Sequence, residues 1–249
     1  MGKRQNPFIP KGKADLFVVD GRAKEIISEL ERMNTKVIST IRCPKLYDAI
    51  SYHPDIVMHP ISHKKIIVAP EVYEYYKEKL KKYGFKILKG EKKLKEKYPN
   101  NIAYNVARIF NYAIHNFKYT DEKLKFYLKK EGIELVNVKQ GYTKCSVSIV
   151  GEKAIMTSDI SIYKTLGKLG IDTLLIEQGY IELPGINYGF IGGSTGLLSD
   201  KELLFTGRYD DHPSRNNINN FLKKNQVMAN IITSEKIIDL GSIIPLNCN

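Results

Sequence analysis

The sequence predicts an α/β protein built as a closed five-bladed α/β propeller, a single domain over residues 1–249. Three observations predict it. A strand–strand–helix–strand order recurs along the chain, as a repeat of architecture rather than of letters. The helix starts, near 21, 71, 120, 159 and 213, are about one unit apart. The first unit lacks a leading strand, while the chain ends in a strand with no unit of its own. Pairing those two would give five ββαβ units and close the ring, which leaves no free sheet edge. A doubly wound parallel sheet would instead alternate strand and helix strictly.

In chain order, the partial unit spans 15–40: "DLFVVD" reads as a strand, "GRAKEIISELERMN" as a helix and "TKVIST" as a strand. The second unit, 56–88, reads "IVMH" and "KKIIVA" as strands. A helix "PEVYEYYKEKLKKYG", opened by proline, and a strand "FKILK" complete it. The third, 103–138, runs "AYNVARI", "NYAIH", "TDEKLKFYLKKEG" and "IELVNV". The fourth, 146–176, is the clearest copy. "SVSIV" and "AIMT" flank a tight turn, "SD" supplies a helix cap, "ISIYKTLGKLG" is amphipathic and ends on glycine, and "IDTLLIE" closes the unit. The fifth, 188–233, is looser: "YGFIG", "ELLFTG", "DHPSRNNINNFLKKN", "ANIIT". The final strand is read in "KIIDLGSIIPL", 236–246. Asp20, Asp121 and Asp159 recur at the strand-to-helix corner and are read as caps.

Composition bounds the function classes. Three cysteines (Cys43, Cys145, Cys248) form no close pair, which gives neither a disulfide framework nor a CxxC zinc site. Their sparseness suits a reducing compartment. No apolar run approaches the ~20 residues of a membrane span, and the basic start lacks a signal peptide's apolar segment. The expectation is a cytoplasmic protein without a membrane partner. The formal charge is +12, and residues 77–97 hold ten lysines against three glutamates. That segment is a solvated face or, alternatively, a surface for RNA or the ribosome.

The stretch "HPDIVMHP" (53–60) gathers two histidines and a carboxylate. As a strand it would place His53, Asp55, Val57 and His59 on one face. His53 and His59 would then lie roughly 20 Å apart, too far to share an ion. No metal site and no cofactor are expected. "YTKC" sets Lys144 beside Cys145, and an adjacent ammonium can lower a thiol's pKa. If that segment were extended the two side chains would face opposite ways, so a buried, inert Cys145 is the competing reading. "GFIGGSTG" (189–196) is a glycine-rich hairpin or an anion-binding nest of amides. "TGRYDDHP" gathers Arg208, Asp210, Asp211 and His212 at a helix entry, more polar groups than capping needs.

Five such units in a closed ring resemble the pentein fold, the guanidine-group-modifying enzyme superfamily. "GYTKCSVSIVGEKAIMTSD" and "YGFIGG" resemble an uncharacterised bacterial branch of it. The resemblance implies a small-molecule ligand, guanidino or amino-acid-like, held by carboxylates near the pseudo-symmetry axis. It also implies a cysteine nucleophile and a histidine that moves protons. Pro54-Asp55 matches the superfamily's second-unit opening, and Asp55 falls on a substrate-contacting position. His59 stands where that strand's closing acids would be, and Asn105 stands on a third-unit aspartate. The fourth-unit histidine position falls at Tyr142–Cys145, which holds no histidine, and the C-terminal nucleophile position falls at Ile244 or Pro245. The expected site therefore comprises Cys145, His212 and Lys144 as catalytic groups, with Asp55, His59, Asn105, Arg208 and Asp211 binding the ligand. Any chemistry would be a diverged amidino hydrolase or transferase.

Overall fold

The structure, a computed structural model, describes residues 5–247. Its strands form five three-stranded sheets. The second sheet holds β3 (Met58–Ser62), β4 (Lys65–Val68) and β5 (Lys86–Lys89), with helix α3 (Tyr73–Lys81) between the last two. The third holds β6 (Ala107–Ile109), β7 (Tyr112–His115) and β8 (Glu134–Asn137), with α4 (Glu122–Lys130). The fourth holds β9 (Ser148–Gly151), β10 (Ala154–Thr157) and β11 (Asp172–Leu175), with α6 (Ile160–Lys168). The fifth holds β12 (Thr195–Ser199), β13 (Glu202–Phe205) and β14 (Met228–Ile231), with α7 (Arg215–Lys224). The first sheet joins β1 (Leu16–Val19) and β2 (Lys36–Ser39), with α1 (Lys24–Arg32), to β15 (Ile244–Leu246) from the chain's end.

Every sheet has the same pairing: first strand antiparallel to the middle one, middle strand parallel to the third across the helix. β15 supplies the missing first strand, with Leu246 opposite Leu16 and Ile244 opposite Val18. This is the pairing expected from the two unmatched strands.

Side-chain periodicity explains the layering. Each unit helix buries one i,i+4 pair: Ile26/Leu30, Tyr76/Leu80, Leu124/Leu128, Ile162/Leu166 and Ile218/Leu222. At 3.6 residues per turn such a pair lies on one stripe, which packs on the sheet while the opposite, mainly polar face meets water. First and middle strands are almost wholly buried, whereas β5, β8, β11 and β14 are partly exposed. All five helices end on a residue of positive φ: Asn34, Gly84, Gly132, Gly170 and Gln226.

Several local expectations are corrected. Asp121 and Asp159 cap their helices by accepting from Leu124 and Ile162 N–H groups. Asp20 does not; it accepts from the Arg22 backbone and guanidinium instead. Residues 188–192 are not a strand, since β12 begins at Thr195, and of 236–246 only Ile244–Leu246 is strand. The segment 54–57, expected to run on as strand from His53, is a helical turn, α2 (Pro54–Val57). Proline at its first position favours that start, and His53 before it is extended as a pre-proline residue must be. "YTKC" likewise is not extended: Thr143–Ser146 form a second turn, α5.

Candidate functional site

The segments that matter lie just ahead of the innermost strands. α2 precedes β3, the turn 102–106 precedes β6, α5 precedes β9, residues 190–194 precede β12, and 239–243 precede β15. Backbone and side-chain hydrogen bonds link these corners in a circuit. Asp55 N–H donates to Gly241 O, Asn105 Nδ2 to Asp55 O, Lys144 N–H to Asn105 O, Gly193 N–H to Cys145 O, and Ser242 N–H to Gly193 O. Each unit thus holds its neighbour, and the fifth returns to the first.

Inside that circuit sits a buried polar cluster. The Cys145 thiol lies 3.3 and 3.2 Å from the two Asp55 carboxylate oxygens and accepts from Asn105 Nδ2 at 3.1 Å. Asn105 Oδ1 accepts from the N–H groups of Lys144 and Cys145, which fixes the amide's orientation. Ser242 Oγ lies 2.7 Å from Asp55 Oδ2 and 2.8 Å from Gly192 O, either of which can take its proton. It accepts from the Lys144 ammonium at 2.8 Å, and that ammonium also donates to Gly192 O. The Lys144 charge is therefore compensated by Asp55 through one hydroxyl.

On the other side stands Asp239, with Oδ1 accepting from Gly241 N–H and Oδ2 from Phe190 N–H. His53 Nδ1 approaches its Oδ1 at 3.9 Å, and neither imidazole nitrogen has a hydrogen-bond partner although the ring is 1% exposed. Two glycines permit this packing. A Cβ on Gly193 would overlap the Asp239 carboxylate, and one on Gly241, at φ +68°, would overlap the His53 side chain.

The electrostatics follow from burial. Removal from water pushes the Cys145 thiol well above its usual pKa, and the Asp55 and Asp239 charges add to the shift. Burial lowers the Lys144 ammonium, opposed by Asp55. Burial raises Asp239, opposed by its proximity to His53 and by the N–H groups of Gly241 and Phe190. The resting cluster thus holds a protonated thiol.

A cavity of about 410 Å³ opens onto this cluster. Its inner end is Cys145, His53 and Asp239, and its rim is aromatic: Tyr47, Tyr142, Tyr188 and Phe190. The Tyr47 and Tyr142 hydroxyls lie 3.5 Å apart across it.

Of the residues singled out in the sequence, Cys145, Lys144, Asp55 and Asn105 come together here. The expectation that Lys144 and Cys145 face apart fails because a helical turn rotates successive side chains by about 100° instead of 180°. His59 is buried in β3 and packs edge-on against Phe8 at 5.5 Å, outside the cavity lining. Burial, with Arg108 beside it, keeps its imidazole neutral.

His212, Arg208 and Asp211 stand apart. His212 Nδ1 accepts from Ser214 N–H at the entry to α7, and its ring meets Tyr180. Arg208 is exposed and pairs with Asp210. Asp211 is exposed, and none of the three lines the cavity. At that corner the polar groups make a hydrogen bond at the helix entry and a surface ion pair. Cys248 lies outside the described residues. The sequence reading missed His53 as a cluster member and Asp239 and Ser242 altogether, and it read the Gly192-Gly193 pair as a hairpin or nest without placing it beside Cys145. Their one shared signal was position, each lying a few residues ahead of an inner strand.

The whole-chain fold matches solved guanidine-group-modifying enzymes. SxtG, an amidinotransferase from Microseira wollei in the saxitoxin biosynthetic pathway, superimposes with TM-score 0.58 at 11% identity, covering 92% of this chain and 91% of that one. The inosamine-phosphate amidinotransferase of Streptomyces griseus gives 0.57 at 10%, covering 89% of each. The agmatine deiminase of C. jejuni gives 0.53 at 10%, covering 92% and 90%. The fold is therefore that of the pentein superfamily. By sequence, the chain belongs to a family of unknown function, DUF6873, which matches residues 18–244. No curated protein matches the sequence. Among the described residues, no helix is long and apolar enough to cross a membrane.

Proposed function

We propose that this chain binds a small guanidino or amidino compound in the cavity above Cys145 and acts on it as a diverged amidino hydrolase or transferase. One observation carries the reading: a thiol, an imidazole with both nitrogens free, and a carboxylate share the inner end of one aromatic-rimmed cavity. A closed five-bladed propeller, a single domain over 1–249, is the frame for it. Support comes from the hydrogen-bond circuit and from β12, which packs against β9 on one side and β15 on the other.

The chemistry assigns each group a task. A guanidinium is a permanent planar cation, and Asp55 and Asp239 supply the anions that orient it. The aromatic rim suits its flat face. Arrival of that positive charge offsets the carboxylates that hold the thiol protonated, so ligand binding itself favours the thiolate. Cys145 Sγ then bonds to the guanidinium carbon while its proton passes to Asp55 or His53. His53 returns a proton to the departing amine as its C–N bond breaks, leaving an amidino group on sulfur. Water or an acceptor amine then attacks that carbon and releases the thiol. Lys144 touches no ligand position and acts as the fixed counter-charge of Asp55. A reducing compartment, as the cysteine usage suggests, keeps such a thiol free.

The test is thermal shift against arginine, agmatine, methylarginines, citrulline and guanidinoacetate. A ligand bound only by the native state raises the melting temperature in a saturable way. A saturable rise that Asp239→Asn abolishes is expected, and no rise with any compound overturns the reading. The alternative, RNA or ribosome binding through 77–97, draws on the exposure of most of its lysines. Five of them lie over tyrosine rings of this chain. Co-sedimentation with RNA that falls steeply with salt would favour it.

A further inference from the structure

We propose that His53, Asp55 and Cys145 form a zinc site with an open coordination position toward the cavity. A ligand atom from each lies within 4.8 Å of the other two, and all three residues are buried. Around tetrahedral zinc, with bonds of about 2.0–2.3 Å, ligand atoms stand roughly 3.4–3.6 Å apart. The Asp55–Cys145 separation of 3.2 Å is already close to that. Only the imidazole has to approach, by about 1 Å, a rotamer-scale adjustment.

A second, independent observation points to a ligand here. His53 is buried to 1% exposure, yet both of its ring nitrogens lack partners. A buried polar group without a partner costs about 1–3 kcal/mol, so natural structures retain few of them. A metal at Nε2 would satisfy one nitrogen. The other, Nδ1, faces the Asp239 carboxylate at 3.9 Å. That is the carboxylate–histidine–metal relay by which outer partners fix a ligating ring. Asp239 is itself held by two backbone N–H groups, and Gly241 packs directly on the His53 side chain, so the ring is aimed before any ion arrives.

Charge and donor type select the ion. Two carboxylates, Asp55 and Asp239, face one ammonium, Lys144, which leaves the cluster with one negative charge in excess while the thiol is protonated. A divalent cation that displaces the thiol proton adds two positive charges and one negative charge, and brings the total to zero. A thiolate, an imidazole and a carboxylate together favour zinc over the hard cations magnesium and calcium. Three protein ligands with a fourth position facing a cavity is the pattern of zinc sites that take up water or a small ligand. The proposal shares side chains with the amidino reading but needs no substrate, so its failure leaves that reading standing.

The experiment uses the full chain, freed of metal by a chelator and dialysed. Zn²⁺ is titrated by calorimetry, and Co²⁺ serves as a spectroscopic stand-in. One ion per chain is expected, with a thiolate-to-cobalt charge-transfer band and four-coordinate visible bands. Cys145→Ser should abolish the charge-transfer band. His53→Ala should weaken Zn²⁺ by more than the roughly 10–100-fold that removing an outer partner costs. Should either variant misfold, as judged by circular dichroism, the wild-type chain still decides. Zn²⁺ must then protect Cys145 from alkylation, read by mass spectrometry, while leaving Cys43 unchanged. Absent stoichiometric binding, binding unaffected by both folded variants, or alkylation of Cys145 at the same rate with and without Zn²⁺ would each overturn the proposal.

Discussion

The Cys145 thiol is shared between the two oxygens of the Asp55 carboxylate, at 3.3 and 3.2 Å, across 90 residues of chain. An anion beside a thiol is the reverse of activation, because it disfavours the thiolate. The thiol is therefore held protonated at rest. In the proposed reading, a cation entering the cavity would favour the thiolate, so this one contact would couple ligand binding to activation of Cys145.

Replacing Asp55 by Asn tests that coupling in both directions. The charge and the hydrogen bond it contributes both push the thiol's pKa up. Asp55→Asn should consequently lower that pKa and speed alkylation of Cys145 at neutral pH. Affinity for a guanidino ligand should fall about 10–100-fold, the roughly 1.5–3 kcal/mol of a charge-assisted hydrogen bond. Alkylation kinetics and a ligand titration on the same preparation check it. A slower thiol in the variant would contradict the assigned role of Asp55.

Lys144 should be structural. Its ammonium sits among Ser242, Gly192 O and, through Ser242, Asp55, all buried. Lys144→Met keeps the chain's length and bulk but leaves that carboxylate uncompensated. A loss of roughly 3–5 kcal/mol is expected, the cost of breaking a buried ionic arrangement from one side. Urea unfolding measures it. A variant as stable as the parent would contradict the role of Lys144 as the buried counter-charge of Asp55.

Gly193 should tolerate nothing larger. A Cβ there would overlap the Asp239 carboxylate, which two backbone N–H groups hold in place. Gly193→Ala should cost about 1–3 kcal/mol by forced overpacking, and it should displace Asp239 from the cavity. Ligand affinity should fall together with stability. Gly151, with open space around it, is the control: alanine there should leave affinity untouched.

The fold was legible in the sequence because its signals are local. Pairs such as Ile26/Leu30 and Leu124/Leu128 show the helix period within five residues, and turn residues such as Gly84 and Gly170 mark where helices stop. The β1–β15 pairing is the longest-range feature, yet it could be inferred because each strand was otherwise unmatched. The site was legible only in part. Asp55 and Asn105 were reached through a family resemblance, and Cys145 through the lysine beside it. His53 and Asp239 meet only after five corners are brought together, and no spacing in the chain encodes that. The strand assigned across "HPDIV" hid the site further. The apolar run outweighed Pro54, although proline at a first helical position was the better guide. The polar cluster at Arg208–His212 drew notice for the opposite reason, since four polar residues so close together are conspicuous in sequence, while in the structure they lie at a helix entry away from the cavity lining.

Acid should destabilise the protein through its buried histidines. Burial holds the His115 imidazole at about 4, neutral between Thr120 Oγ1 at 2.6 Å and Gly141 O at 2.8 Å. In the unfolded chain the same group titrates near ~6.5. Between those two values the unfolded state binds the extra proton, so stability rises with pH across the window and falls as pH drops through it. The full contribution is present above pH ~6.5 and lost by about pH 4, up to roughly 3 kcal/mol for a shift of this size. Burial lowers His59, His63 and His212 in the same direction, which steepens the dependence. Urea unfolding from pH 7.5 down to 4 should show that slope, and His115→Gln, which cannot titrate, should reduce it by about one proton. A slope unchanged in the variant would mean that His115 is charged in the folded protein, and its place between Thr120 and Gly141 would then need a different account.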